Sequence, residues 1–321
     1  MDCEGAFRVA TDVSSRPEGG VVSAIGNTPL VELRRLDAPA PGVRLFGKLE
    51  GANPGGSVKD RPAYYMIKKA EESGELVPGK IILEATSGNT GIAMAMIGAA
   101  KGYRVKLCMP ACVSMERQET LRALGAEVVL TQACSGTDGA IRQAHELLEA
   151  EPETYYMPNQ FENCNNILAH YETTGPEILA QTDGQVDVVV AGMGTTGTLM
   201  GVKRFFSERK AEVKVVAVEP TLGHAIQGLK NMTESIVPRI YQPELLDEKI
   251  TVQDDEAFEM TRLLAAREGV FVGMSSGAAV AGAVQVARQM TTGTIVAILP
   301  DRGDRYLSTS LFRSICAKCP P

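Results

Sequence analysis

Seven short apolar runs, at 43–49, 80–85, 105–109, 127–130, 186–191, 213–218 and 294–299, constrain this chain more than any other feature. Several are rich in β-branched residues and apolar on both faces, the pattern of strands in a parallel sheet covered on both sides. Between them lie stretches of helical period, at 91–101, 114–124, 139–149, 199–208, 254–268 and 278–290. This alternation predicts an α/β fold: open, twisted, mostly parallel sheets flanked by helices and joined by right-handed crossovers. With 321 residues the chain is long enough for two domains. The pattern breaks at 151–166, where Pro152, Pro158 and an Asn-rich stretch intervene.

In open parallel sheets, ligands bind beyond the carboxyl ends of the strands. Three loops there carry hydroxyls and glycines ahead of a helix. Thr86-Ser87-Gly88-Asn89-Thr90-Gly91 offers three hydroxyls and an amide before free helix N–H groups, a receiver for a carboxylate. Read alone, it also serves as an N-cap. Gly192-Met193-Gly194-Thr195-Thr196-Gly197-Thr198 admits two readings. Gly192, Gly194 and Gly197 match the dinucleotide fingerprint, with Glu219 about 20 residues on, which would make the chain a nicotinamide-dependent oxidoreductase. The three threonines favour a cup of N–H and O–H donors around one terminal phosphate. Gly273-Met274-Ser275-Ser276-Gly277-Ala278 adds a serine at a third junction. A fourth turn, Asn53-Pro54-Gly55-Gly56-Ser57-Val58-Lys59-Asp60-Arg61, sets Lys59 at the start of an amphipathic helix. There the macrodipole, and desolvation in a dry pocket, both favour a free amine. Such an amine is a nucleophile for carbonyl carbon.

The rest of the chain argues by exclusion. A net charge of −7 with no basic patch speaks against nucleic acid. Histidines 145, 170 and 224 are too dispersed for a metal motif. Seven scattered cysteines do not look like a disulfide framework and fit a reducing cytoplasm. Cys316 and Cys319 form a lone CxxC read as an incidental tail. The densest apolar stretch, 92–100, is about half a membrane span, and residues 1–20 are expected to be a disordered extension with no signal-peptide character.

Taken together, NPGGSVKDR at 53–61, EATSGNTGIA at 84–93, the 192–198 loop and GMSSGAA at 273–279 resemble the β-family (fold type II) of pyridoxal-phosphate enzymes. Within it they are similar to the cysteine synthases, with Asp301-Arg302-Gly303-Asp304-Arg305-Tyr306 most like the B type. The likeness runs from Ile25 to Thr309. It implies pyridoxal 5′-phosphate as cofactor and a cytoplasmic homodimer. It also implies a smaller mobile domain, 51–160, inserted into a larger one made of 21–50 and 161–321, with the cofactor in the cleft. The reaction implied is β-replacement, forming L-cysteine from O-acetyl-L-serine and sulfide, or thiosulfate, through an aminoacrylate.

By the same resemblance Lys59 carries the cofactor and moves the α-carbon proton, and Asn89 bonds the cofactor's 3′-oxygen. Gly194, Thr195, Thr196, Gly197 and Thr198 hold its phosphate and Ser275 meets its pyridine nitrogen. Thr86, Ser87, Asn89, Thr90 and Gln160 receive the substrate. Lys230 stands where O-phosphoserine-using relatives carry an arginine, which makes O-phosphoserine the alternative donor. Lysine keeps the charge there without the bidentate fork.

Overall fold

A computed structural model describes residues 19–36, 42–86, 88–111, 113, 115–132 and 136–312. The expected disordered extension (all but its last two residues), Ser87, and the Cys316 and Cys319 tail lie outside the described residues. The chain divides into two compact units, one comprising the chain before Thr28 and Asn53–His170, the other Thr28–Ala52 and Tyr171–Pro321.

The first unit is built on four parallel strands in the order β5-β4-β3-β6: β3 (Ile81–Ala85), β4 (Arg104–Pro110), β5 (Glu127–Thr131) and β6 (Tyr155–Tyr156). Its helices are α1 (Asp60–Ser73), α2 (Asn89–Lys101), α3 (Met115–Ala123), α4 (Gly136–Ala150) and α5 (Asn165–Ala169). In α1, Ala63, Met66, Ile67 and Ala70 form one buried stripe at helical spacing. Gly74, at φ 78°, ends the helix in the left-handed conformation that suits glycine. Helix α2 is buried almost all round from Thr90 to Gly98, so its amino end is carried on core rather than on a surface loop.

The second unit holds six strands in the order β1-β2-β10-β7-β8-β9: β1 (Leu30–Glu32), β2 (Gly42–Leu49), β7 (Val188–Gly192), β8 (Lys214–Pro220), β9 (Glu248–Val252) and β10 (Thr292–Leu299). All pair in parallel except β1 with β2. Its helices are α6 (Gly175–Gln181), α7 (Gly197–Arg209), α8 (Asp254–Leu263) and α9 (Met274–Ala287). Helix α9 owes its place to missing side chains. A Cβ on Gly277 would lie 2.0 Å from Thr261 Oγ1, and one on Gly282 would lie 2.4 Å from Val218 Cγ2. Only glycine lets α8 and β8 approach so closely, and this fixes the amino end of α9 beside the carboxyl edge of the sheet. The strand β2 carries a buried cation. Lys48 donates to Glu177 Oε2 (2.6 Å), Gln181 Oε1 (2.8 Å) and the Thr28 carbonyl (2.7 Å), which offsets the cost of burying its charge.

All seven expected strands are present. Three short ones, β1, β6 and β9, are additional, as are the short helices α5 and α6. The stretch expected as one helix over 254–268 is α8 followed by a π turn, Leu264–Glu268, that closes on Gly269. Cys108, on β4, is a buried free thiol. No helix among the described residues is long and apolar enough to cross a membrane.

Candidate active site

In the first unit the turn before α1 is tied by its own backbone. The Gly56 N–H donates to the Asn53 carbonyl (2.7 Å), and Asn53 Oδ1 accepts from the Gly26 N–H (2.9 Å). Gly55 donates to Asp60 Oδ2 at 2.5 Å, an approach a Cβ on Gly55 would block, since it would sit 2.4 Å from Asp60 Oδ1. Lys59 caps α1 on this turn. Burial draws its amine down from the ordinary lysine value to about 8. The sequence argument named both the helix pole and desolvation; desolvation is the cause in the structure.

The carboxyl end of β3 runs into the amino end of α2. Thr86 and Thr90 are buried there, and Gly88 donates its N–H to Thr86 Oγ1 (3.2 Å). Thr90 Oγ1 donates to Gln160 Oε1 at 2.7 Å, which commits the amide oxygen and leaves the Gln160 NH2 as a donor. The Gln160 carbonyl accepts from Asn166 Nδ2 (2.8 Å). Thr86, Asn89, Thr90 and Gln160 thus gather at one edge of this sheet.

Sequence reasoning passed over Glu84, although a lone carboxylate in an apolar strand was visible. It is 3% exposed, and burial pushes its carboxyl up to about 8. It also passed over Asn166.

In the second unit, β7 ends in the turn that opens α7. Met193 donates to the Val218 carbonyl (2.8 Å) and accepts from the Lys230 N–H (2.7 Å), so the 228–230 loop lies against this turn. A Cβ on Gly194 would meet the Gly228 carbonyl at 2.9 Å, and one on Gly228 would lie 3.8 Å from Ser275 Oγ. Gly194, Lys230 and Ser275 therefore border one place. Thr196 caps α7 at φ 67°, a left-handed conformation that costs a threonine on the order of 1–3 kcal/mol. Its Oγ1 is buried with no hydrogen-bond partner. Thr195 is buried beside it, Gly197 opens α7, and Thr198 is half-buried.

A strained, orphaned hydroxyl at the amino end of a 13-residue helix fits a phosphate. Each unit thus carries its own candidate feature: in the first, the Lys59 amine drawn down by desolvation, and in the second, a turn of threonines suited to a phosphate. The dinucleotide reading of Gly192, Gly194 and Gly197 fails on Glu219. Its Oε2 pairs with Lys249 (2.7 Å) and its Oε1 accepts from the Met232 N–H (2.9 Å), which leaves it engaged rather than presented to a ribose.

Comparison with known proteins agrees. The family described as "Pyridoxal-phosphate dependent enzyme" matches residues 21–301. Cysteine synthase B of Salmonella typhimurium is 49% identical over 90% of this chain and 94% of its own. Among solved structures, cysteine synthase (OASS) of Entamoeba histolytica superposes with a TM-score of 0.88 at 39% identity, covering 95% of this chain and 94% of that one. An O-ureido-L-serine synthase superposes at 0.87 with 40% identity, over 93% and 96%.

Proposed function

The chain belongs to the pyridoxal-phosphate-dependent enzymes of the cysteine synthase family, and from that premise we propose that it forms L-cysteine from O-acetyl-L-serine and sulfide. The observation that supports this reading best is the Lys59 amine, buried and drawn down to about 8. When bound, pyridoxal phosphate supplies an electron sink for the substrate's α-carbon.

The chain's own residues supply the rest. Lys59 would hold the cofactor by its aldehyde carbon and would move the proton at the substrate's α-carbon. Gly194, Thr195, Thr196, Gly197 and Thr198 grip the phosphate, and Asn89 donates to the cofactor's 3′-oxygen. Ser275 meets the pyridine nitrogen. A serine hydroxyl does not keep that nitrogen protonated as a carboxylate does, so the sink is moderate and suits loss of a β-substituent. Thr86, Ser87, Thr90 and Gln160 hold the substrate carboxylate. The same reading carries the cytoplasm as its compartment, a smaller mobile domain over 51–160 that excludes water on closing, and a homodimer as the assembly.

Lys230 is the residue that would read a phosphorylated donor. Its backbone N–H donates to the Met193 carbonyl, which holds it beside the 192–198 turn. The test compares catalytic efficiency with O-acetylserine and O-phosphoserine, in the parent and in Lys230→Ala. The expected result is an efficiency at least about tenfold higher with O-acetylserine, changed less than about threefold by the substitution. A preference for O-phosphoserine that disappears in Lys230→Ala would reverse the assignment of donor.

A further inference from the structure

We propose that Tyr306 and Asp301 are positioning residues that hold Ser275 at the cofactor's pyridine nitrogen. The inference rests on the proposed role of Ser275, and all the residues it uses lie in the second unit. Ser275 is the second residue of α9, so its place is set by where that helix starts. The helix does not set its own start. Its N-cap, Gly273, makes no side-chain cap, and the chain entering α9 is held by other segments.

The first of these is the stretch beyond β10. That strand ends at Leu299, and the chain after it runs beside Phe271, Val272 and Gly273. The Gly273 N–H donates to the Asp301 carbonyl and the Gly303 N–H to the Phe271 carbonyl, both at 3.2 Å, on either side of a bridge between Val272 and Arg302. Side chains fix this stretch in turn. Tyr306 Oη donates to Asp301 Oδ2 at 2.6 Å, and both residues are buried. The pair lies against the entry to the helix: a Cβ on Gly273 would fall 2.2 Å from Asp301 Oδ1 and 2.4 Å from Tyr306 Cε2. Gly273 has an ordinary extended backbone, at φ −81°, so close approach rather than conformation calls for glycine there.

On its other side the helix start meets the loop that lies along the phosphate turn. Met274 Sδ accepts the Gln227 N–H at 3.1 Å, and Ser275 Oγ lies 3.8 Å from where a Cβ on Gly228 would stand. Gly273, Met274 and Ser275 are therefore clamped between this loop and the Asp301–Tyr306 pair. A hydroxyl that reads one ring nitrogen tolerates little displacement, because a hydrogen bond weakens steeply as its geometry degrades. Removing the Tyr306 hydroxyl deprives the buried Asp301 Oδ2 of this donor, a costly change away from water, and loosens the clamp on that side.

The experiment records the absorption spectrum of the bound cofactor, and kcat at saturating cofactor, for Tyr306→Phe, Ser275→Ala and the double variant. Ser275→Ala is expected to move the absorption maximum and to lower kcat about fivefold or more. Tyr306→Phe is expected to move the maximum in the same direction and to lower kcat about threefold or more. Because it acts through Ser275, adding it to Ser275→Ala should change kcat less than about 1.5-fold. Asp301→Asn, which keeps an oxygen for the Tyr306 hydroxyl, is expected to stay within about twofold of the parent. A folded Tyr306→Phe with a parental spectrum and kcat overturns the proposal. So does a double variant in which the two losses multiply, since that is independent structural damage. Should Tyr306→Phe fail to fold by circular dichroism, Asp301→Leu, similar in shape and without an acceptor, must give the same spectral shift, and a parental spectrum sinks the idea. Ser275→Ala separates the two layers. If it leaves spectrum and kcat parental, the Ser275 assignment itself falls; if it moves them while Tyr306→Phe does not, only the positioning pair falls.

Discussion

Replacing Lys59 with alanine is expected to lower turnover by about 10⁴-fold or more while leaving the protein folded and able to bind pyridoxal phosphate. The loss is large because one amine is assigned two tasks, holding the cofactor's aldehyde carbon and moving the α-carbon proton. The fold survives because alanine suits a helix start and removes a group that burial already disfavours as a cation. Binding survives because the proposed phosphate cup lies at the start of α7, which Lys59 does not build. Steady-state kinetics and a cofactor titration check both halves, and normal turnover would remove Lys59 from the mechanism.

The same buried amine predicts a pH dependence. Only the uncharged form attacks an aldehyde, so capture of pyridoxal phosphate by the apoprotein speeds up as pH rises toward about 8 and levels off above it. Stability of the apoprotein follows the same group. Its folded pKa lies below that of the unfolded chain, where lysine titrates near its usual value, so between the two the unfolded state binds more protons. This group therefore makes the fold more stable as pH rises above about 8.

Thr196→Val is expected to weaken pyridoxal phosphate binding by about 10- to 100-fold, with kcat at saturating cofactor close to the parent. Valine keeps the shape of threonine and removes only the hydroxyl. That hydroxyl is buried and has no partner within the protein, and the proposed function gives its hydrogen bond to the cofactor's phosphate. A hydrogen bond to a charged group contributes about 1.5–3 kcal/mol, and about 1.4 kcal/mol is a factor of ten in affinity. The left-handed backbone at φ 67° is unfavourable for either residue, so the comparison isolates the hydroxyl. Equilibrium titration of the apoprotein reads the effect; an unchanged dissociation constant would take Thr196 out of the phosphate site.

Much of this was legible in the sequence because the features are local. Strands such as β7, β8 and β10 are continuous β-branched runs, and the loops that follow β3 and β7 carry their chemistry within six or seven consecutive residues. The edge strand β9, Glu-Lys-Ile-Thr-Val, mixes charge with alternation and leaves a weak apolar signal, while β6 is only two residues long. The π turn after α8 keeps helical periodicity and cannot be told from helix by spacing. Glu84 was visible but silent. Its burial depends on how the sheet packs, and no local pattern carries that.

The central claim is that one buried amine, Lys59, carries the cofactor. The direct measurement is borohydride reduction of the cofactor-loaded protein, followed by proteolysis and mass mapping of the fixed pyridoxyl group. The account predicts that the label falls on the peptide containing Lys59 and on no other lysine. A label on a different lysine, or a protein that takes up pyridoxal phosphate and yields no labelled peptide, would contradict it.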